Sequence, residues 1–300
     1  MEVRKEMSKK YTFRFEGKSY SYWKSGSGPP LIFLHNAGST HAIWKHQRVH
    51  FEKTHTCTLL DLPGYGRSRP TSPTRRRSLD THLTLAFYVR FLNELIDTQL
   101  TPKDPSPARP SLIGNCLGST IALSTALEHP KKIDRLILFH LLTPQTVSYG
   151  IFGPIFKATE HHNTLRNALV QLFSPLKLSP RITKQLVKLL WGNRSNPCSQ
   201  LSLTLATELS RPGLLESMGK ILTDINAYHS LDQVKLGRAF PKTLLLWGTK
   251  NRILPLGGGL TVAHTLKPQG FHRIQGGGHL APYELHEPVN ALMADFLSKT

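Results

Sequence analysis

One cysteine in this 300-residue chain stands where its thiol could do chemistry. The stretch Ser111-Leu112-Ile113-Gly114-Asn115-Cys116-Leu117-Gly118-Ser119-Thr120-Ile121-Ala122-Leu123 is a short apolar run, then Gly-x-Cys-x-Gly, then small and apolar residues at helical spacing. That pattern predicts a strand turning sharply into a helix with Cys116 exposed at the bend. Gly114 and Gly118 suit such a turn because it brings backbone segments too close for a Cβ. At a helix start, unpaired N–H groups and the helix dipole favour an anion. The thiol is therefore expected to lose its proton more easily than a free one and to serve as a nucleophile. The same residues also fit a buried cysteine in a glycine-containing loop, so the partners supplied by the rest of the chain decide between the two.

The elements that must position this bend alternate in type. Residues 11–15 and 18–24 alternate like an antiparallel hairpin, and 31–34 and 56–60 are short apolar strands of the buried parallel kind. The first of these strands runs into His35-Asn36-Ala37-Gly38-Ser39-Thr40 and a helical stretch around Trp44. The second ends in Asp61-Leu62-Pro63-Gly64-Tyr65-Gly66-Arg67-Ser68. Residues 67–78 form a polar loop with five arginines, 79–100 an amphipathic helix and 101–110 a Pro-rich connector. A strand over 133–142 follows the helix after Cys116. From 145 to 234 only helical patterns occur, such as 181–191 and 201–209. Strand and helix then alternate again through 243–247, 270–275 and 284–297. The fold class expected is α/β, a mostly parallel central sheet flanked by helices, built from residues 1–144 and 235–300. Residues 145–234 are expected to be a helical cap over the carboxyl ends of the strands, where ligands bind in such sheets.

Composition bounds the partners. There are 38 Lys+Arg against 19 Asp+Glu, a formal charge of +19. That excess suits an anionic substrate, carrier or surface, or equally a solvated basic exterior. Three cysteines, Cys57, Cys116 and Cys198, do not make a disulfide framework and fit a reducing compartment. The first ten residues hold no apolar run, and no stretch is long enough to span a membrane, so a cytoplasmic location is expected. His41, His46, His50 and His55 lack the His-Glu-x-x-His pattern of a metal site, and neither metal nor cofactor is expected. Arg75-Arg76-Arg77 has no aromatic stacking platform nearby, which argues against nucleic acid.

Taken together, the motifs resemble the α/β-hydrolase fold family: His35-Asn36-Ala37-Gly38 after a strand, Asp61 to Ser68, the bend at Cys116, Trp247-Gly248-Thr249-Lys250-Asn251, and Gly278-His279 with Glu284 and Pro288 downstream. The resemblance implies that Cys116 stands at the nucleophile position, usually Ser, and His279 at the general base. It implies oxyanion donors at the backbone N–H groups of Leu117 and Ala37. Asn36, Asn115 and His140 are candidate substrate-binding residues.

Two departures matter. Asn36 replaces the family's usual Gly in the oxyanion loop. Asn251 replaces the usual triad acid, and His140 occupies the alternative acid position after the sixth strand. Asp224, Asp232 and Glu284 are the remaining carboxylates, and none matches a motif position. A Cys-His-Asn set is nonetheless chemically consistent, because thiolate and imidazolium can rest as an ion pair with an amide orienting the ring. The expected activity is hydrolysis of an ester or thioester through a Cys116 acyl-enzyme. Acyl transfer by the same intermediate, or a binding protein with an impaired site, are the alternatives. The expected partner is a small-molecule or carrier-bound acyl substrate, with coenzyme A or an acyl carrier protein suiting the charge.

Overall fold

In the computed structural model, which describes residues 8–69, 83–100, 108–159, 162–193 and 199–299, the short apolar runs are strands of one eight-stranded sheet. β1 (Lys9–Phe15) and β2 (Lys18–Ser25) form the hairpin, turning at Glu16 and Gly17, both at positive φ. β3 (Pro30–Leu34), β4 (Thr56–Leu60), β5 (Ser111–Asn115), β6 (Arg135–Phe139), β7 (Lys242–Gly248) and β8 (Gly270–Ile274) complete it. Their order is β1-β2-β4-β3-β5-β6-β7-β8, with every pair from β4 onward parallel. β3 to β7 are apolar almost without interruption because helices cover both faces of the sheet.

The helix Leu117–Glu128 is buried at ten of its positions. Its Gly, Ala, Ser and Thr residues allow that depth: Ser119, Thr120 and Thr125 each donate their hydroxyl to a backbone carbonyl, and Ser124 alone of the four hydroxyls has no partner among the described residues. The helix expected over 79–100 starts at Leu85, where the Thr84 hydroxyl accepts the Phe87 N–H, and continues beyond Leu95 as a wider π turn. The arginine cluster at 75–77 and Cys198 lie outside the described residues.

Between β6 and β7 the described residues form helices and no strand: Pro144–Ser148, Gly153–Thr159, Asn163–Phe173, Pro180–Leu190, Ser199–Leu209, Leu214–Thr223 and a 3₁₀ run Ile225–Gln233. No described helix is long and apolar enough to cross a membrane.

Candidate active site

Sheet register gathers the site. Leu34 of β3 pairs with Gly114 of β5, so Ala37 and Leu117 lie equally far past the same sheet edge. Asn115 pairs with Phe139 and Gly248 with Ile274, which brings His140, Asn251 and His279 to that edge as well. Cys116 sits at the bend with φ 54° and ψ −113°, a conformation that a residue with a side chain adopts at a cost. The surroundings hold it there. A Cβ on Gly114 would meet the Gly118 backbone, and one on Gly118 would run into the Leu34 carbonyl. The Cys116 N–H donates to the Phe139 carbonyl at 2.9 Å, and the Leu117 N–H bonds the sulfur.

His279 follows β8 on a loop tied to the helix Pro180–Leu190 of the insertion: its own N–H donates to the Leu190 carbonyl at 2.7 Å. Glu284 fastens the same junction, accepting Gly278 N–H at 3.0 Å and Gly192 N–H at 2.7 Å. Asn251 reaches His279 from the loop after β7, with its amide nitrogen 3.2 Å from His279 Nδ1. The Asn251 side-chain oxygen accepts the N–H groups of Ile253 at 3.0 Å and Leu254 at 3.1 Å.

Behind these residues runs a buried polar chain. His140 Nε2 accepts the Gly248 N–H at 2.9 Å, so its Nδ1–H donates to Asn115 Oδ1 at 2.9 Å. The Asn115 amide then donates to the His279 carbonyl at 3.1 Å and to Asn36 Oδ1 at 3.4 Å. Asn36 in turn donates to the Ala37 carbonyl at 3.0 Å. Asn115 and His140, expected as substrate-binding residues, are both engaged within this chain. Both are fully buried, and both ring nitrogens of His140 and both ends of the Asn115 amide are occupied by protein. They brace the site from behind.

The α/β-hydrolase fold model matches residues 29–149, from β3 through the Cys116 bend to the first helix after β6. The chain is 26% identical to the 2-hydroxy-6-oxo-6-phenylhexa-2,4-dienoate hydrolase of Comamonas testosteroni over 92% of this chain and 90% of that one. It is 27% identical to the 2-hydroxy-6-oxononadienedioate/2-hydroxy-6-oxononatrienedioate hydrolase of the same organism, covering 91% and 89%. Among solved structures, a hydrolase from Pseudomonas aeruginosa PA01 superposes with a TM-score of 0.73 at 17% identity, covering 97% of this chain and 98% of that one. The chain has the α/β-hydrolase fold.

The electrostatics of the bend differ from the sequence expectation. Burial pushes the Cys116 thiol up to about 12, outweighing the Leu117 N–H, which acts in the opposite direction. Burial also holds the His279 imidazole down to about 3. The easily ionised thiol and the resting thiolate–imidazolium pair therefore give way to two neutral groups. The helix start favours the anion, but desolvation of a site that leaves Cys116 6% exposed and His279 2% exposed is the larger effect.

Two side chains near the bend carry no role in the sequence reading. Tyr65 and Tyr228 are fully buried, and neither hydroxyl has a hydrogen-bond partner among the described residues. Both lie close enough to Cys116 to feel a charge on its sulfur. Tyr65 sits inside the Asp61-to-Ser68 motif and could have been singled out there. Tyr228 lies in the 3₁₀ run before β7, where nothing in the residue pattern marks it. Asp61 fixes the neighbouring loops, accepting the His41 N–H at 2.9 Å, the His41 ring at 2.7 Å and the Arg67 N–H at 2.8 Å. Among the described residues no group of three or more His, Cys, Asp or Glu could hold a metal ion.

Proposed function

We propose that this α/β-fold hydrolase cleaves an ester or thioester through a covalent acyl–Cys116 intermediate. The observation that carries the reading is the bend itself: a thiol held at φ 54° between two obligatory glycines, with the Leu117 N–H on its sulfur. A bend that costs backbone strain and presents a nucleophilic atom has a use only if that atom reacts or binds.

In the proposed sequence, His279 Nε2 takes the thiol proton as Cys116 Sγ adds to the acyl carbon. The carbonyl electron pair moves to oxygen, where the N–H groups of Leu117 and Ala37 stabilise it. Collapse expels the alcohol or thiol, which leaves with the proton held by His279. Water then attacks the thioester, gives a proton to the same nitrogen, and the regenerated thiol takes it back. Asn251 is the residue that fixes the His279 ring. The hydroxyls of Tyr65 and Tyr228 are the donors we assign to a substrate oxygen.

The charge of +19 supports an anionic substrate, a carboxylated molecule or an acyl group carried on coenzyme A or an acyl carrier protein. The relatives point the same way, since the substrates in their names are hydroxy-oxo-dienoates, which are carboxylates. Those names also favour a second reading, in which the attacked carbonyl is the ketone of an oxo acid.

The test compares turnover of short and long activated acyl esters, acyl thioesters and oxo-dienoates by the native chain, Cys116→Ala and His279→Ala. Both variants should lose about 10³-fold or more of kcat/KM while staying folded. Acyl products formed with added amines or thiols mark transfer rather than hydrolysis. Turnover that survives Cys116→Ala contradicts the proposal.

A further inference from the structure

Asn251 does more than hold the His279 ring in place: it selects which nitrogen carries the proton. The Asn251 side-chain oxygen meets two backbone N–H groups, those of Ile253 and Leu254, at 3.0 and 3.1 Å. Both are donors only, so the atom they meet must be the amide oxygen. Rotating the amide would set its NH₂ against two N–H groups and leave all of them unpaired in a site that is 4% exposed. The amide nitrogen is thereby fixed toward His279 Nδ1 at 3.2 Å. That nitrogen has only hydrogens to offer, so His279 Nδ1 must be the acceptor. A neutral imidazole with a bare Nδ1 carries its proton on Nε2.

We infer that Asn251 is a positioning residue that holds His279 as the Nε2–H tautomer, so that Nε2 carries a donor and not the lone pair of a base. This rests on the reading of Cys116 and His279 as nucleophile and base. The thiol proton has nowhere to go while Nε2 is occupied, and addition of Sγ to an acyl carbon waits for the minor Nδ1–H tautomer. A carboxylate at 251 would accept all three N–H groups, those of Ile253, Leu254 and His279 Nδ1, and free the Nε2 lone pair. An amide satisfies the same turn but reverses the polarity toward the histidine. In a serine protease the same acid-to-amide change costs about 10⁴-fold for this reason. The neutral Cys116 and His279 are what such an arrangement would maintain. The other titratable group against the ring, His140, stacks on it with centroids 5.3 Å apart and both its nitrogens occupied, so it supplies no alternative proton acceptor.

The experiment uses the full chain labelled with ¹⁵N-histidine, with two-bond proton–nitrogen correlations reading the tautomer and a His279→Gln sample assigning the signals. Native His279 should show a protonated Nε2 and a bare Nδ1, and Asn251→Asp should invert the pattern. In parallel, peptide mass follows iodoacetamide alkylation of Cys116 between pH 5 and 9. Asn251→Asp should alkylate at least about tenfold faster at pH 7 than the native chain, with its pH profile moved to lower pH. A protonated Nδ1 in the native protein overturns the inference, as does an Asn251→Asp variant that keeps the tautomer and alkylates no faster. The absence of acyl turnover in every variant would count against the proposed hydrolysis and leave the tautomer reading standing, so the two failures are distinguishable.

Discussion

At the residue scale the account turns on groups whose chemistry depends on what surrounds them. The two buried tyrosine hydroxyls near Cys116 separate a binding role from a packing role. An unpaired buried hydroxyl costs stability, so removing one that serves only substrate should not harm the fold. Tyr65→Phe and Tyr228→Phe are expected to keep or slightly raise the melting temperature and to raise KM severalfold. A fall in melting temperature with KM unchanged would make them structural. Asn115 behaves in the opposite way. Asn115→Ala would strand the His140 Nδ1–H, the His279 carbonyl and Asn36 Oδ1, and should cost about 3 kcal/mol in denaturant unfolding. Of this residue set, Cys116, His279 and Asn251 stood out in the sequence because glycines or motif positions flank them. The bracing roles of Asn115 and His140 did not, since hydrogen bonds between residues 25 and 164 positions apart leave no local pattern. The protonation of Cys116 is not legible in the sequence for a related reason: a helix start is local, whereas the burial that overrides it comes from the whole tertiary environment.

At the element scale, strand register does most of the positioning, and short apolar runs bounded by glycine-rich turns announced the strands to within a few residues. The insertion is a different matter. Its helices were legible as periodic patterns, but their hold on the His279 loop was not. The carbonyl of Leu190, at the end of the helix Pro180–Leu190, receives both His279 N–H and Leu280 N–H. Glu284 bridges Gly192 and Gly278 across the same seam. The helix Pro180–Leu190 and the proposed base are therefore held by one set of hydrogen bonds. Glu284→Ala should leave the sheet intact, as read by far-ultraviolet circular dichroism, and lower kcat at least tenfold by releasing the His279 loop. An activity equal to that of the native chain would show that the loop keeps its place unaided.

At the scale of the whole molecule, burial of neutral imidazoles sets the pH range of stability. His279 is held down to about 3 and His35 to about 4, and His140 is lowered well below the ordinary range, in each case chiefly by desolvation. Above their unfolded value near 6.5 these rings are neutral in both states. Below it the unfolded chain binds protons that the folded chain refuses, so stability is lost as the pH falls. Each ring contributes about 1.4 kcal/mol per pH unit until its folded value is reached. Glu208 and Glu284, raised by burial, act in the other direction, since their contribution is lost as pH rises through the acid range. The histidine loss therefore dominates between pH 6.5 and about 5, and the melting temperature should fall steeply across that interval. A flat profile from pH 7.5 to 5 would contradict this. The net charge of +19 was plain from composition, but the titrating core was not, because burial is a property of the assembled fold. The central claim, that Cys116 is a nucleophile, is tested most directly by the intact mass of the full chain seconds after mixing with an activated acyl thioester. The account predicts one added acyl group, removed by hydroxylamine and absent in Cys116→Ala. An unmodified native chain across the acyl panel, or an adduct that persists in Cys116→Ala, would contradict it.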